Sequence, residues 1–442
     1  MTIFALSSGP GISGVAVIRI SGASTKDVIK VITKGAHLKP RVATLKKIFH
    51  EKTKELIDEC ILIWFPGPNS YTGEDMLEIQ AHGSKAVIKS ILDSISEIEN
   101  CRLAEPGEFT KIAFQNDKIN LLKAESIGDL IASETEIQRK QALRIMSGKS
   151  SDKFNYWREA LVKILSNLEA KIDFPDEDLP SNILGNIKAS SEKVKKEIKK
   201  TLEDSKVGEK IREGFKIAII GPTNVGKSSL LNYFSKREVA IVSEVAGTTR
   251  DIIEVYINMD GFPVVMSDTA GIRNSEDEIE KKGIKLALKR AEDADLNILV
   301  FEPKTVDFID FLKDLDLKKS IFVINKSDLG PSKSNELEKY NPISVSIRDE
   351  TNLDKLINQI KENLKNKFVS VEDTIITRER HRQHLLQCVY HLDEFTKKEK
   401  ENDFDKAAED LRLAVRHLGM IVGIVDVEEI LGSIFNDFCI GK

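Results

Sequence analysis

The sequence predicts a multidomain protein: an α+β N-terminal domain, an α-helical domain, and an α/β domain inserted into the helical one. Three observations carry that prediction. The chain has 442 residues, more than one hydrophobic core organises. Its apolar periodicity changes character near residues 119, 215 and 372. The patterns on either side of the α/β stretch are both bundle-like, so one helical domain interrupted by an insertion is the simplest arrangement.

Residues 1–118 mix β-like runs ("VAVIRISG", "CILIWFPGP", "DMLEIQAHG") with helical patterns ("TKDVIKVITK", "KAVIKSILDSISEI"), the signature of a compact α+β unit. Residues 119–214 read as a helix bundle, because Leu121, Leu122, Ile127, Leu130 and Ile131, then Leu161, Ile164, Leu165 and Leu168, recur at helical spacing. Within them, "EKVKKEIKKTLEDSKVGEKIREG" is a charged helix whose lysines face either solvent or RNA. Residues 215–371 open on "FKIAIIGPTNVGKSSLLNYF", an apolar strand, a Gly-bounded turn and a helix. The strands "VVMSDTAG" and "SIFVINKSD" follow between helical runs, as in a parallel sheet. Residues 372–442 return to helices.

Composition narrows the function classes. With 66 basic against 71 acidic residues the net charge is -5, so no global field draws the chain to nucleic acid, and any RNA contact must be local. Cys60, Cys101, Cys388 and Cys439 lie far apart without CxxC spacing, which points to a reducing, cytoplasmic compartment. The start lacks a basic n-region, and no apolar run is long enough to span a bilayer, so neither secretion nor a membrane is expected.

The chemistry concentrates in "GPTNVGKS", Gly221 to Ser228, which matches G-x-x-x-x-G-K-[ST] in a strand-to-helix context. Backbone N–H groups from Asn224 through Ser229, with Val225 and Gly226 between, face phosphates; Lys227 reaches the β/γ oxygens and Ser228 ligates Mg²⁺. "DTAG" places Asp268 for the Mg²⁺ shell and Thr269, Ala270 and the Gly271 N–H along the γ-phosphate. "NKSD" supplies Asn325, Lys326 and Asp328, whose carboxylate can accept from the guanine N1–H and exocyclic amine, a pair of donors adenine lacks. "SEVAGTTRD" adds Thr249 as a second Mg²⁺ hydroxyl and, with Gly247, a loop able to wrap the phosphates. Ser346 opens the segment in the place of the last guanine-contacting loop, where Ile347 replaces the commoner alanine.

Hydrolysis is less direct, because Ile272 follows "DTAG" where a Ras-type enzyme has its water-orienting glutamine. Glu276, Asp277, Glu278 and Glu280 follow, readable as an acidic face or as a source of a catalytic carboxylate. No arginine finger is evident, so a bound cation could neutralise charge between the β- and γ-phosphates, with Asn224 as a ligand.

These residues carry a resemblance along the whole chain. "GVAVIRISG", "YTGEDMLEIQAHG", "PGEFTKIAFQNDKINLLKAE", "IDFPDED", "GPTNVGKSS", "AGTTRD", "DTAGIR", "NKSD" and the terminal "CIGK" resemble the MnmE (TrmE) family of tRNA-modifying GTPases. The resemblance implies a Ras-like G domain and a cytoplasmic homodimer whose N-terminal domains bind a tetrahydrofolate one-carbon donor, 5-formyl- or 5,10-methylene-tetrahydrofolate. It implies K⁺ on Asn224, Ser243, Val245 and Thr248, with Glu244, Ala246 and Gly247 lining the same loop, Mg²⁺ on Ser228 and Thr249, and Glu280 orienting the attacking water. It implies that the FAD-dependent partner MnmG joins it in a heterotetramer, and that together they add a carboxymethylaminomethyl group to C5 of the wobble uridine of certain tRNAs. The folate ligands it implies are Arg19, Glu78, Lys118 and Lys442, with Cys439 a candidate in the modification chemistry. The rival reading is a GTP-switch factor for ribosome assembly without modification chemistry, which shares the nucleotide motifs.

Two further features stay open on residues alone. His381, His384, Cys388 and His391 share one helix face, but a single straight helix cannot surround a tetrahedral ion, and the bundle needs an inward stripe there. "CIGK" fits a prenylation box poorly, since its last two residues are Gly441 and Lys442. The apolar stripe Ile430, Leu431, Ile434, Phe435 and Phe438 predicts a tail docked up to Cys439 rather than a frayed end.

Overall fold

The computed structural model describes residues 1–9, 11–173, 183–203, 205–237, 240–241, 253–268, 287–303, 315–330, 335–367, 374–398, 404–425 and 441. They form two compact units: Met1–Gly128 with Ile145–Glu177 and Lys398–Lys442, and Asp129–Arg144 with Asp178–Lys397.

In the first unit six strands make one sheet: β1 (Thr2–Leu6), β2 (Ser13–Ser21), β3 (Thr44–Phe49), β4 (Leu56–Phe65), β5 (Met76–Gly83) and β6 (Cys101–Leu103), in the order β3-β4-β5-β2-β1-β6. All pairings are antiparallel except β1 with β6. Alternation divides the faces. Phe4, Ile18, Ile20, Leu62, Leu77 and Ile79 point into a core covered by α1 (Thr25–Ile32) and α2 (Lys85–Ser96). Both helices bury i, i+3/i+4 stripes, Val28, Ile29 and Ile32 in α1 and Ile91 and Ile95 in α2, and Ser84 Oγ caps α2 by accepting from the Val87 N–H at 3.1 Å. The Cys60 thiol also lies in this core, where burial, with Asp58 adding to it, pushes it up to about 12.

The same unit contains α3 (Glu108–Gln115) and the long helix Lys149–Asp173, which packs against the helix Phe404–Val422. The first contributes Phe154, Trp157, Leu161, Ile164 and Leu168 at three- and four-residue steps; the second offers Leu411 and Leu418 with Ala407, Ala408 and Ala414, whose small side chains let the axes approach. The helical segments on either side of the insertion therefore pack together. A second such pair, Ile183–Glu203 with Glu379–Lys397, lies in the other unit, where Lys195 is clamped by Glu192 at 2.6 Å and Asp393 at 2.9 Å. His381 and Cys388 are buried on that pair with Leu385 and Leu392, and among the described residues no group of three His, Cys, Asp or Glu is arranged to hold a metal ion.

The second unit is built on a seven-stranded sheet. Its strands are β7 (Phe215–Ile220), β8 (Ala240–Ile241), β9 (Ile253–Met259), β10 (Phe262–Asp268), β11 (Leu296–Phe301), β12 (Ser320–Ile324) and β13 (Ile343–Ser344), ordered β13-β12-β11-β7-β10-β9-β8. From β13 to β10 all neighbours are parallel; β9 and β8 add antiparallel edge strands. The parallel strands read as nearly continuous apolar runs because both faces are covered. Leu230, Leu231 and Phe234 of the helix Lys227–Arg237 and Leu353, Leu356, Ile357 and Ile360 of the helix Leu353–Lys367 close one face; Ala291 and Leu337 pack on the other with Ile220, Leu299 and Phe301. Chain order reverses on either side of β7, which makes its carboxyl end the topological switch point where open α/β sheets bind ligands.

Candidate functional site

The loop after β7 sits at that switch point, and beside it the sheet places Asp268 at the carboxyl end of β10 and the segments that follow β12 and β13. Gly221 leaves the strand so close to β11 that a Cβ there would meet Val300 O at 2.1 Å. Asn224 takes φ 61° and Gly226 φ 100°, the left-handed turns that point successive N–H groups into a concavity before the helix starts at Lys227. Lys227 is buried, its Nζ donating to Gly221 O at 2.9 Å and Pro222 O at 2.6 Å. Burial lowers its pKa against the opposing pull of Asp268. Among the described residues this ammonium is held by two carbonyls in a desolvated turn, an acceptor-hungry setting suited to phosphate oxygens.

Ser228 Oγ donates to Asp268 Oδ2 at 2.5 Å, joining the phosphate loop to the end of β10 across the sheet. Two hard oxygen ligands in contact at a helix N-terminus fit Mg²⁺, which takes oxygen donors and completes its shell with water and phosphate. The guanine-reading residues are assembled the same way. Asn325 is buried at the end of β12 and donates from Nδ2 to Val225 O at 2.7 Å, so it braces the phosphate loop. Lys326 takes a left-handed φ of 62° and pairs with Glu302 at 2.9 Å. Asp328 stays exposed, and Ser346 Oγ donates to its Oδ1 at 2.8 Å while accepting from the Asp349 N–H at 3.2 Å. Ile347 follows Ser346 beside Gly226, its Cδ1 3.6 Å from where a Cβ on that glycine would stand. Ser229 is on the first turn of the helix.

The structure thus gathers Asn224, Val225, Gly226, Lys227, Ser228, Ser229, Asp268, Asn325, Lys326, Asp328 and Ser346 around one crevice. Ser243, Glu244, Val245, Ala246, Gly247, Thr248, Thr249, Thr269, Ala270, Gly271 and Glu280 lie outside the described residues, as do Ile272 and the neighbouring acidic residues. Sequence reasoning missed Glu302 as the partner of Lys326 and Arg290, whose Nη1 donates to Asp268 O at 3.3 Å; neither sits in a motif.

In the first unit Arg19 and Glu78 are directly opposite on β2 and β5, and pair at 3.0 Å. The guanidinium also lies 5.6 Å from the Tyr71 ring centroid and 5.8 Å from that of Phe109. Tyr71 Oη is 2.8 Å from Thr110 Oγ1, which fixes the ring over the pair. Lys118 leans over Gly73 of the same loop, its Cε 2.9 Å from where a Cβ on Gly73 would stand. Two cations, a carboxylate and aromatic faces around one loop are a donor set that fits an aromatic, carboxylate-bearing cofactor such as a folate. At the chain's end, Gly441 seats against β1: Ser7 Oγ donates to Gly441 O at 2.7 Å, and Leu6 is paired in register with Ile18, next to Arg19. Cys439, Lys442 and the stripe Ile430 to Phe438 lie outside the described residues.

Fold and site together define a P-loop protein with a Ras-like, doubly wound G domain, carried by a chain with its own α+β and helical parts. A family model described as "MnmE helical domain" matches residues 121–439, and one described as "GTP-binding protein TrmE N-terminus" matches residues 2–118. The chain is 65% identical to the tRNA modification GTPase MnmE of Pelagibacter ubique (strain HTCC1062) and 45% identical to that of Rickettsia bellii (strain RML369-C), in each case over 100% of both chains. It belongs to the MnmE family of tRNA modification GTPases.

Proposed function

We propose that this protein is a K⁺-dependent GTPase that, with the FAD-dependent partner MnmG, adds a carboxymethylaminomethyl group to C5 of the wobble uridine of certain tRNAs. The observation that carries the nucleotide half is the convergence of the segments after β7, β12 and β13 with Asp268 at the end of β10, Ser228 resting on Asp268 and Ser346 on Asp328. Full-length identity to the MnmE relatives supports the tRNA half. GTP lies with its phosphates on the Asn224–Ser229 amides and Lys227, and its base edge on Asp328, with the ring against Lys326. Ser228 and Thr249, with Asp268 behind them, would hold Mg²⁺, which would shield phosphate charge; Asn224, Ser243, Val245 and Thr248 would hold K⁺, which would supply the positive charge of an arginine finger. Glu280 orients water in place of the glutamine that Ile272 replaces. The protein works as a cytoplasmic homodimer and as a heterotetramer with MnmG, and takes its one-carbon unit from 5-formyl- or 5,10-methylene-tetrahydrofolate near Arg19, Glu78, Lys118 and Lys442.

Hydrolysis measured in KCl and in NaCl at equal ionic strength tests the central claim. The rate is expected to be at least about tenfold higher in KCl, the effect of about one charge-stabilising contact in the transition state. Equal rates would remove the potassium role.

The tail predicts that the two activities separate. A Cβ at Gly441 would lie 2.1 Å from Leu6 O, at a φ of 96° that disfavours any other residue. Gly441→Ala is therefore expected to undock the last residues, weakening 5-formyl-tetrahydrofolate binding about tenfold by loss of a charged contact from Lys442, while GTP turnover is unchanged. Isothermal titration beside a phosphate-release assay reads both; joint loss would show damage to the fold instead.

A further inference from the structure

One surface feature is left unused by the nucleotide and folate readings. Residues 26–47 carry seven lysines and arginines against one acid, Asp27, in a chain whose net charge is -5. Lys26 and Lys30 stand one turn apart on α1; Lys34, His37, Lys39 and Arg41 continue along the connection to β3, and all six are exposed. Lys26 is paired with Asp75 at 3.1 Å. Among the described residues no acidic group lies within ion-pair distance of Lys30, Lys34 or Lys39. Lys26, Lys30 and His37, with Gly35, Leu38 and Trp64, line a recess of about 270 Å³. Trp64 comes from β4, pinned by the Arg41 N–H donating to its carbonyl at 2.8 Å. Its indole Nε1 is buried and has no hydrogen-bond partner among the described residues, and Lys26 Nζ lies 5.7 Å from the ring centroid.

We propose that this face of the N-terminal domain docks RNA, with the lysines on successive phosphates and Trp64 receiving an unpaired base in the recess. The inference rests on the tRNA reading above and adds where the tRNA lies. Lysines alone on an exposed turn and edge strand would be ordinary solvated charge. The recess sets this cluster apart, since an indole bordered by cations is how single-stranded nucleic acid is held: base on aromatic ring, backbone on basic groups. An anionic membrane would also attract the lysines, but Trp64 is half-buried in the lining of a concavity and is not raised to insert, which favours RNA.

The test uses the full chain and an unmodified tRNA transcript with uridine at the wobble position. Lys30→Gln, Lys34→Gln and Lys39→Gln together keep the side-chain stems. They are expected to lower the slope of log affinity against log salt by about two, and affinity at 0.1 M salt by about a hundredfold. The matched variant Lys193→Gln, Lys196→Gln and Lys200→Gln removes the same charge from the exposed side of the helix Ile183–Glu203 and is expected to bind like the unaltered chain. Trp157 is fully buried, so fluorescence quenching on tRNA addition reports Trp64, the other tryptophan, and is expected to vanish in Trp64→Phe. Equal weakening by both triple variants, an unchanged first variant, or no binding by the unaltered chain each overturns the docking surface. So does retention of the triple variant's tRNA affinity with loss of binding to phosphatidylserine vesicles, which would assign the patch to a membrane. GTP hydrolysis in KCl, run on the same samples, reports the proposed function independently.

Discussion

Asp328→Asn is expected to lower GTP affinity about a thousandfold while leaving the fold intact. The carboxylate accepts two hydrogen bonds from the guanine edge, each worth about 1.5–3 kcal/mol when one partner is charged, and an amide presents a donor to a donor in one of them. Asp328 is exposed and touches the protein through Ser346, so the loss falls on binding and not on stability. Xanthine carries a carbonyl where guanine has the amine, so the variant is expected to regain turnover with XTP. Fluorescent-nucleotide titration with GTP and XTP reads both. Equal GTP affinity in the variant and the unaltered chain would place the base elsewhere.

Gly226→Ala is expected to abolish nucleotide binding by a different route. A Cβ at residue 226 would stand 2.3 Å from Asn325 Nδ2, and φ there is 100°. Asn325 would have to leave Val225 O, orphaning a buried amide and carbonyl at about 1–3 kcal/mol, on top of about 1–3 kcal/mol of backbone strain. The loop then loses both its turn and its brace. The thermal midpoint is expected to fall by a few degrees, and GTP should no longer raise it, which differential scanning fluorimetry with and without nucleotide would show. A nucleotide-dependent rise equal to that of the unaltered chain would refute the steric argument.

The parts of the site legible in the sequence are those whose chemistry fits inside one short window. The phosphate loop needs its glycines, lysine and serine within eight positions, so "GPTNVGKS" announces itself. Asp268 and the "NKSD" segment were legible because each ends an apolar run, and strand ends in parallel sheets converge. Ile347 in place of alanine obscured the last loop, yet the position beside Gly226 has room for its side chain. Glu302 and Arg290 were illegible: each is an ordinary charged residue in its own stretch, and only β11 standing beside β12, or the helical residues 287–293 lying over β10, makes it a neighbour of the site. Nothing local marks Arg19 and Glu78 as a pair; antiparallel register sets them opposite each other.

By itself, then, the sequence determined the phosphate and guanine motifs and the helical stripe of Leu161, Ile164 and Leu168, because these depend on backbone hydrogen bonding and periodicity within a few turns. The tertiary structure alone decided the contacts that cross the chain. Asn325 braces Val225 from 100 positions away, and Ser7 holds Gly441 from 434. Sheet order and register set such pairs, and neither leaves a trace in a local window. The basic stretch that begins at Lys26 shows the same division: its charge is plain in the sequence, but only the backbone contacts of Pro40 and Arg41 with Trp64 bring an indole beside it.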